Sequence, residues 1–195
     1  LPLSPEDLQK RLDTLDLPQE ATATARARVA SIQGTESTSL EYVDTHYYLD
    51  HLLRLPWGDA PATKVDPLTL AGQLRMGHYT PEFVQEALVE FLASAYSQPT
   101  NGGLARLPVP VLAGPEGTGK RTLGRKIGAA IGRPVEVVDL RLMANDAGLF
   151  GAMSERGRGQ PGAIVNALQQ ADRRDAVVVL ANLEWAIRTW EDHGL

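Results

Sequence analysis

A glycine-rich turn that ends in lysine is the sequence feature that most constrains how this chain can fold. An apolar run, residues 109–113, leads into Gly114, and Gly119 and Lys120 complete the spacing G-x-x-x-x-G-K before a helical pattern. Glycines at these positions let successive backbone N–H groups point inward at phosphate oxygens, and the lysine reaches the outer phosphates. The sequence therefore predicts a strand, a phosphate-binding loop and a helix, with an ordinary glycine-rich turn as the alternative.

The residue after the lysine departs from this motif. A phosphate-binding loop carries Ser or Thr there, and its hydroxyl holds Mg²⁺, whereas this chain has Arg121. Glu116 adds a negative charge inside the loop, so an alternative role for Lys120 is an ion pair with Glu116 or another nearby carboxylate. The candidate nucleotide- or anion-binding residues are those of the loop and the first helical turn: Gly114, Pro115, Glu116, Gly117, Thr118, Gly119, Lys120, Arg121 and Thr122.

Composition limits the class of protein. The 195 residues are 43% hydrophobic, which allows a real core in one large or two small domains. The net charge of −5 argues against nucleic acid as the main partner. The absence of cysteine excludes disulfides and thiol chemistry and favours a cytoplasmic location, and no apolar run has membrane-spanning length. We expect the chain to be a piece of a larger protein.

Residues 1–58 predict a helical subdomain, and the polar residues 59–66 predict a linker after it. Ser4, followed by proline and two acidic residues, is an N-cap pattern. His46 and His51 are five residues apart on the third helix, which is not the spacing of a helical metal pair, so no metal site is predicted. The apolar positions expected on the inner faces of the three helices are Leu8, Leu12, Leu15, Ala21, Ala25, Val29, Ile32, Leu40, Val43, Tyr47 and Leu52.

Residues 67–195 predict an α/β domain. Asp66 caps a short helix, and Thr80 begins an amphipathic helix that carries Phe83, Val84, Ala87, Leu88, Phe91 and Leu92. Apolar strands at residues 135–140 and 176–181 flank a helix at 161–171. Together with the strand before the loop they form three successive β-α units, which predict a parallel sheet covered by helices. With about three strands, the sheet is expected to be incomplete.

Residues 48–58, Y-L-D-H-L-L-R-L-P-W-G, resemble the Y-L-D-W-L-hydrophobic-x-L-P-W segment that Lon proteases carry just before their ATPase module. His78-Tyr79 and the following helix are similar to that family's H-Y-G-L segment, and the loop is similar to its G-P-P-G-V-G-K. Residues 131–133 and 161–164 fall on the family's L-G-R and P-G-R-I. The resemblance covers essentially the whole chain. It implies an N-terminal helical part, then the first part of a P-loop AAA+ domain with Tyr79 near the adenine.

Several positions differ from the family's pattern. The family's third strand ends L-L-D-E-I-D, and the resemblance implies that its first Asp helps to hold Mg²⁺ while its Glu activates the attacking water. These positions are Ala181 and Asn182 here. Asn182 has two alternative roles, an amide that positions a water or a cap for the following helix. The family's aromatic pore loop falls on residues 155–160, so the pore-loop positions are Arg156 and Gly157 and no aromatic remains.

Three functions stay open at this point. The first is a segment of a Lon-like Ser–Lys protease whose AAA+ module does not hydrolyse ATP and acts as a scaffold and gate for unfolded polypeptides. For this reading the resemblance implies a downstream protease domain and a homohexameric ring; no catalytic residue lies in this chain, and no cofactor is expected, with ATP and Mg²⁺ as the alternative. The second is an active AAA+ motor with unusual magnesium ligation, and the third is a non-enzymatic interaction module.

Overall fold

The structure is a computed structural model, and it describes residues 4–58, 66–76, 80–97, 109–153 and 159–190. The chain divides into two compact units. The first comprises Leu1–Ala60, Val138–Arg174 and Leu180–Leu195, and the second comprises Pro61–Val137 and Asp175–Val179. The predicted division into residues 1–58, a linker and residues 67–195 stays a prediction, and most of that linker lies outside the described residues.

The first unit begins with three helices: α1 (Pro5–Asp13), α2 (Gln19–Ser31) and α3 (Leu40–Leu53). The predicted cap of α1 is confirmed, because the Ser4 hydroxyl accepts a hydrogen bond from the Asp7 N–H. Ser39 caps α3 in the same way through the N–H of Tyr42. Burying one stripe of each helix removes apolar surface from water and stabilises the bundle. Its core consists of Leu8, Leu12, Ala25, Val29, Ile32, Tyr42, Leu49 and Leu52.

The predicted inner face of α3 is wrong for most of its residues. Leu40 is 57% exposed and Val43 is 38% exposed, and of the four predicted positions only Leu52 is buried. The buried stripe is Tyr42, Thr45, Leu49 and Leu52. These residues follow the helical repeat with spacings of three, four and three. Because this stripe includes a threonine, a prediction based on hydrophobicity alone places the inner face on a different side of α3.

The rest of the first unit surrounds a short hairpin. Strands β2 (Gly151–Met153) and β3 (Gly159–Pro161) pair antiparallel, with Ala152 opposite Gln160. Gly162 follows β3 where the chain passes so close to the Leu149 carbonyl that an added Cβ would lie 2.2 Å from its oxygen. The helices of this region are a 3-10 turn (Leu140–Leu142), α7 (Ala147–Phe150), α8 (Ala163–Ala171) and α9 (Leu183–Trp190).

The second unit contains α4 (Pro67–Arg75), α5 (Glu82–Ser97) and α6 (Lys120–Ala130). The predicted Asp66 cap is confirmed, since its carboxylate accepts from the Thr69 N–H at 2.8 Å. Of the apolar positions predicted on α5, Leu88 and Leu92 are buried, whereas Phe83 is 73% exposed. The core of this unit consists of Leu70, Leu74, Leu88, Leu92, Leu123, Ile127 and Ile131.

Strands β1 (Val135–Asp139) and β4 (Val177–Ala181) confirm the two later strand predictions and pair in a short parallel sheet. In the second unit, α6 packs on the start of β1 at Gly128, where an added Cβ would lie 2.0 Å from the Val135 side chain. The Arg133 guanidinium lies 3.6 Å from the Asp175 carboxylate, and both side chains are largely buried. The predicted fold class, α/β with an N-terminal helical part, is confirmed.

The strand predicted at residues 109–113 does not form. These residues carry no β-ladder, and the side chains of Val109 and Val111 are 85% and 72% exposed. An extended segment becomes a strand only when a neighbour accepts and donates its backbone hydrogen bonds. Neither sheet within the described residues includes this segment. An apolar run predicts a tendency to form a strand. The neighbouring strand that would supply its backbone hydrogen bonds is not specified by the run itself.

Candidate functional site

The loop predicted to bind phosphate has the backbone conformation that its glycines permit. Gly114, Gly117 and Gly119 have φ angles of 155°, 75° and 80°. Positive φ is accessible to glycine without the steric penalty that a Cβ imposes. The Thr118 hydroxyl donates to the Pro115 carbonyl oxygen at 2.8 Å and braces the turn from inside. The loop then enters α6 at its N-terminus, where unpaired N–H groups and the helix dipole favour an anion.

Lys120, the first residue of α6, folds back over this loop. Its ammonium donates to the carbonyl oxygens of Gly114 and Pro115 at 2.8 Å and 2.6 Å. The alternative ion pair with Glu116 does not form within the described residues. Two backbone carbonyls therefore occupy the lysine, and a phosphate would have to replace them as its partner.

The position directly after Lys120 lacks the hydroxyl that would hold a metal. Arg121 takes that position, and both Arg121 and Thr122 are exposed. A guanidinium repels a divalent cation and offers no lone pair to it. This turn can attract an anion, but Arg121 does not supply the oxygen ligand that Mg²⁺ requires at that position.

A second group of predicted site residues lies at the carboxyl end of β4, in the first unit. Ala181 is buried and contributes only a methyl group. Asn182 has a φ of 62° and donates its amide N–H to the Asp139 carboxylate at 2.6 Å. That carboxylate also accepts from Arg141, through Nε at 3.2 Å and Nη2 at 2.8 Å. The side chain at position 182 is therefore a neutral amide that lies beside the Asp139 carboxylate at the end of β1.

Asp139 is a site residue that the sequence reasoning missed. Hydrogen bonds from Arg141 and then Asn182 hold the pKa of Asp139 well below its ordinary range, against the opposing effect of burial. It remains ionised at neutral pH and is a weak base. A polar residue at the end of an apolar strand is the signal that could have found it, because the carboxyl ends of parallel strands meet at one edge.

Three other predicted site residues are not among the described residues. They are Tyr79, Arg156 and Gly157. The loop belongs to the second unit and the Asp139–Asn182 pair to the first. Among the described residues, no group of three or more His, Asp or Glu side chains could hold a metal ion. In the same part of the chain, no helix combines the length and the apolar character needed to span a membrane.

Comparison with known proteins decides the family. The chain is 32% identical over 181 residues to the Lon protease of Roseiflexus castenholzii and 29% identical over 179 residues to that of Halothermothrix orenii. It is 30% identical over 177 residues to Lon protease 2 of Hydrogenovibrio crunogenus. These matches cover 90–92% of the chain. The chain belongs to the Lon protease family. No family model matches it.

The chain spans about a fifth of the length of these Lon-family relatives, 20–22%. Mg·ATP is the alternative ligand that the sequence resemblance implies, and its two parts fit this chain differently. The positive-φ glycines, the N-terminus of α6 and Lys120 suit phosphate oxygens. Arg121, Ala181 and Asn182 do not suit the metal, because none of them presents an anionic or hydroxyl oxygen.

Proposed function

We propose that this chain is the N-terminal helical part and the first part of an AAA+ module in a Lon-like protease, and that the module is a scaffold without ATPase activity. The observation that carries the proposal is the replacement of all three metal- and water-directing positions. Arg121, Ala181 and Asn182 stand where a hydroxyl, a metal-holding carboxylate and a water-activating carboxylate are expected. Phosphoryl transfer is catalysed by positioning and by charge stabilisation around the metal, so these changes remove its main supports.

The contacts at the two positions support this proposal. Lys120 is engaged by loop carbonyls, and the Asn182 amide is engaged by Asp139. A neutral amide cannot take a proton from water. Asp139 does not replace the lost base, because Arg141 lowers its pKa and occupies both of its oxygens.

For the whole protein we propose a cytoplasmic, homohexameric Ser–Lys endopeptidase that degrades unfolded polypeptides without ATP. The serine and lysine belong to a downstream domain, in which the lysine acts as base for the serine. The predicted pore-loop positions, Arg156 and Gly157, lack the aromatic that would grip a substrate. Without a pore aromatic to hold the substrate and without ATP hydrolysis to drive unfolding, the module guides polypeptides that are already unfolded. It does not pull folded proteins apart.

The second candidate is an active AAA+ motor with unusual magnesium ligation. The loop conformation supports it, because Gly114, Gly117 and Gly119 have positive φ and Lys120 begins the helix that follows. This candidate requires metal ligands at positions other than Arg121, Ala181 and Asn182. Hydrolysis measurements separate the two candidates directly.

The test is degradation by the intact protein of casein and of one stable globular substrate with a graded series of destabilised variants. We expect casein to be degraded without ATP and the stable substrate to survive. When cleavage waits for spontaneous opening, its rate follows the unfolded population, so each 1.4 kcal/mol of destabilisation speeds degradation about tenfold.

Each reaction is repeated with Mg·ATP, and with Mg·ADP as the matched control. Equal rates in all three conditions support the scaffold. Rapid degradation of the most stable substrate with Mg·ATP, but not with Mg·ADP or without nucleotide, would establish the motor and overturn the proposal. No cleavage of casein under any condition would point instead to the non-enzymatic interaction module.

A further inference from the structure

We propose that Asp139 is the positioning residue for Asn182, and that this pair makes position 182 unfavourable for a carboxylate. The inference rests on the proposed function, in which position 182 has lost a water-activating glutamate. The pair gives a physical reason why one substitution at position 182 does not restore the lost glutamate.

The pair is held from two sides. The Asn182 amide donates to Asp139 Oδ1 at 2.6 Å, at the point where β4 leaves the sheet and α9 begins. Arg141 holds the same carboxylate through its backbone N–H at 3.1 Å and its guanidinium at 2.8 Å. Asp139 is 19% exposed, so its charge is only partly screened by solvent.

The backbone at position 182 also depends on this contact. Asn182 is one of two non-glycine residues among the described ones with positive φ, at 62°. Asparagine tolerates the left-handed region better than most residues, but the conformation still costs free energy unless surrounding contacts favour it. The hydrogen bond to Asp139 supplies such a contact and orients the amide toward the end of β1.

Charge then decides which residues position 182 can accept. A carboxylate there would face the Asp139 carboxylate at hydrogen-bond distance, and two carboxylates this close cannot both stay ionised without penalty. Arg141 already pairs with Asp139 through two nitrogens, so it balances one negative charge and not two. An acid introduced at position 182 is therefore less destabilising when Asp139 loses its charge at the same time.

The test is a double-mutant cycle in the full chain without nucleotide, using denaturant unfolding at pH 7 and pH 4. Asn182→Asp keeps the shape and the tolerance for positive φ, and it replaces the donating amide with a negatively charged acceptor. We expect it to lower the folding equilibrium constant about tenfold at pH 7, within the range measured for contacting pairs. The exchanged double variant, Asp139→Asn with Asn182→Asp, restores one donor and one acceptor and should recover most of the loss.

Lowering the pH distinguishes repulsion from a packing defect. At pH 4 the Asn182→Asp deficit should shrink, because the carboxylate pair can take up a proton. Asn166→Asp is the matched control, since it adds the same charge at an exposed position of α8 in the same unit, and it should leave the folding constant unchanged within about twofold. An exchanged variant no more stable than Asn182→Asp, or a deficit that is equal at both pH values, would overturn the inference.

A second variant covers the case in which Asn182→Asp does not fold. Asn182→Gly keeps access to positive φ and removes the amide, so the pKa of the Asp139 carboxyl, followed by carbon NMR, should rise toward its ordinary value. An unchanged titration overturns the inference. Because neither measurement involves nucleotide, ATP hydrolysis with an intact pair would refute only the proposed function, whereas a failed cycle without hydrolysis would refute only this inference.

Discussion

The Lys120 ammonium lies 2.6 Å from the Pro115 carbonyl oxygen and 2.8 Å from that of Gly114. The lysine that would neutralise a nucleotide's outer phosphates therefore closes the loop on itself. A phosphate dianion can still displace two neutral carbonyls, because charge-assisted hydrogen bonds are stronger than those to neutral acceptors. The geometry thus leaves the loop able to attract anions, whereas Arg121 directly after the lysine replaces the metal-binding hydroxyl.

The first prediction is that the intact protein releases no phosphate from Mg·ATP above the level of its Lys120→Ala variant. The reason is that Arg121, Ala181 and Asn182 supply no metal ligand and no base. A malachite-green phosphate assay measures the rate, and Lys10→Ala, an exposed site on α1, serves as the control. Steady phosphate release that falls with Lys120→Ala but not with Lys10→Ala would refute it.

The second prediction concerns restoration of the metal site. Arg121→Thr, Ala181→Asp and Asn182→Glu together should give measurable Mg·ATP affinity only when Asp139→Asn is added, because the glutamate introduced at position 182 would otherwise face an ionised Asp139. Each single change should do little, since such ligands act as a unit. Isothermal titration of the triple and quadruple variants checks this. Equal affinity in both would mean that Asp139 imposes no constraint.

The third prediction compares two helical glycines. Gly128→Ala should destabilise the protein by about 1–3 kcal/mol, because the new methyl group would overlap the Val135 side chain. Gly72→Ala on α4 meets no atom within 4 Å and should instead stabilise by about 0.5–1 kcal/mol. Denaturant unfolding measures both changes. Adding Val135→Ala should recover part of the Gly128→Ala loss, and no recovery would mean that the contact is not its cause.

The fourth prediction is a loss of stability in mild acid that depends on His46. Burial lowers the pKa of His46 below its ordinary value of 6.5, and the Asp50 charge opposes this only in part. Its Nε2 atom is buried and has no hydrogen-bond partner among the described residues. Because the unfolded chain takes up the proton first, the stability that neutral His46 provides is complete above pH 6.5 and is lost as the pH falls toward the folded-state pKa.

Unfolding free energies at pH 7.5 and pH 5.5 test this sign. The unsubstituted protein should lose more stability between the two values than His46→Gln does, because glutamine does not titrate. Equal losses in the two proteins would show that other groups cause the acid sensitivity.

Local chemistry made much of the fold predictable. The caps at Ser4 and Asp66 and the inner positions of α1 and α2 follow from side chains within one helical turn of each other. Residues 109–113 were not predictable in the same way, because strand formation depends on a neighbour that the segment itself does not specify. The inner face of α3 failed for a related reason, since only packing shows that Thr45 is buried.

The candidate site was also predictable only where its geometry depends on local sequence. The loop conformation was predictable from its glycines, because positive φ is a property of the residue itself. The Asp139 contact was not, because 43 residues separate it from Asn182 and only strand pairing brings the two together. Predicting the partner of Lys120 would have required the loop's carbonyl directions, which are absent from any motif.

The exposed segment before the loop has a consequence for solution behaviour. Its exposed apolar side chains have no ladder partner among the described residues, and such a segment can pair with a second chain and promote aggregation. Pro110 lies between Val109 and Val111 and has no N–H to donate, so it interrupts the row of donors that a second chain would use. This proline therefore protects the chain against aggregation at a segment with two exposed valines.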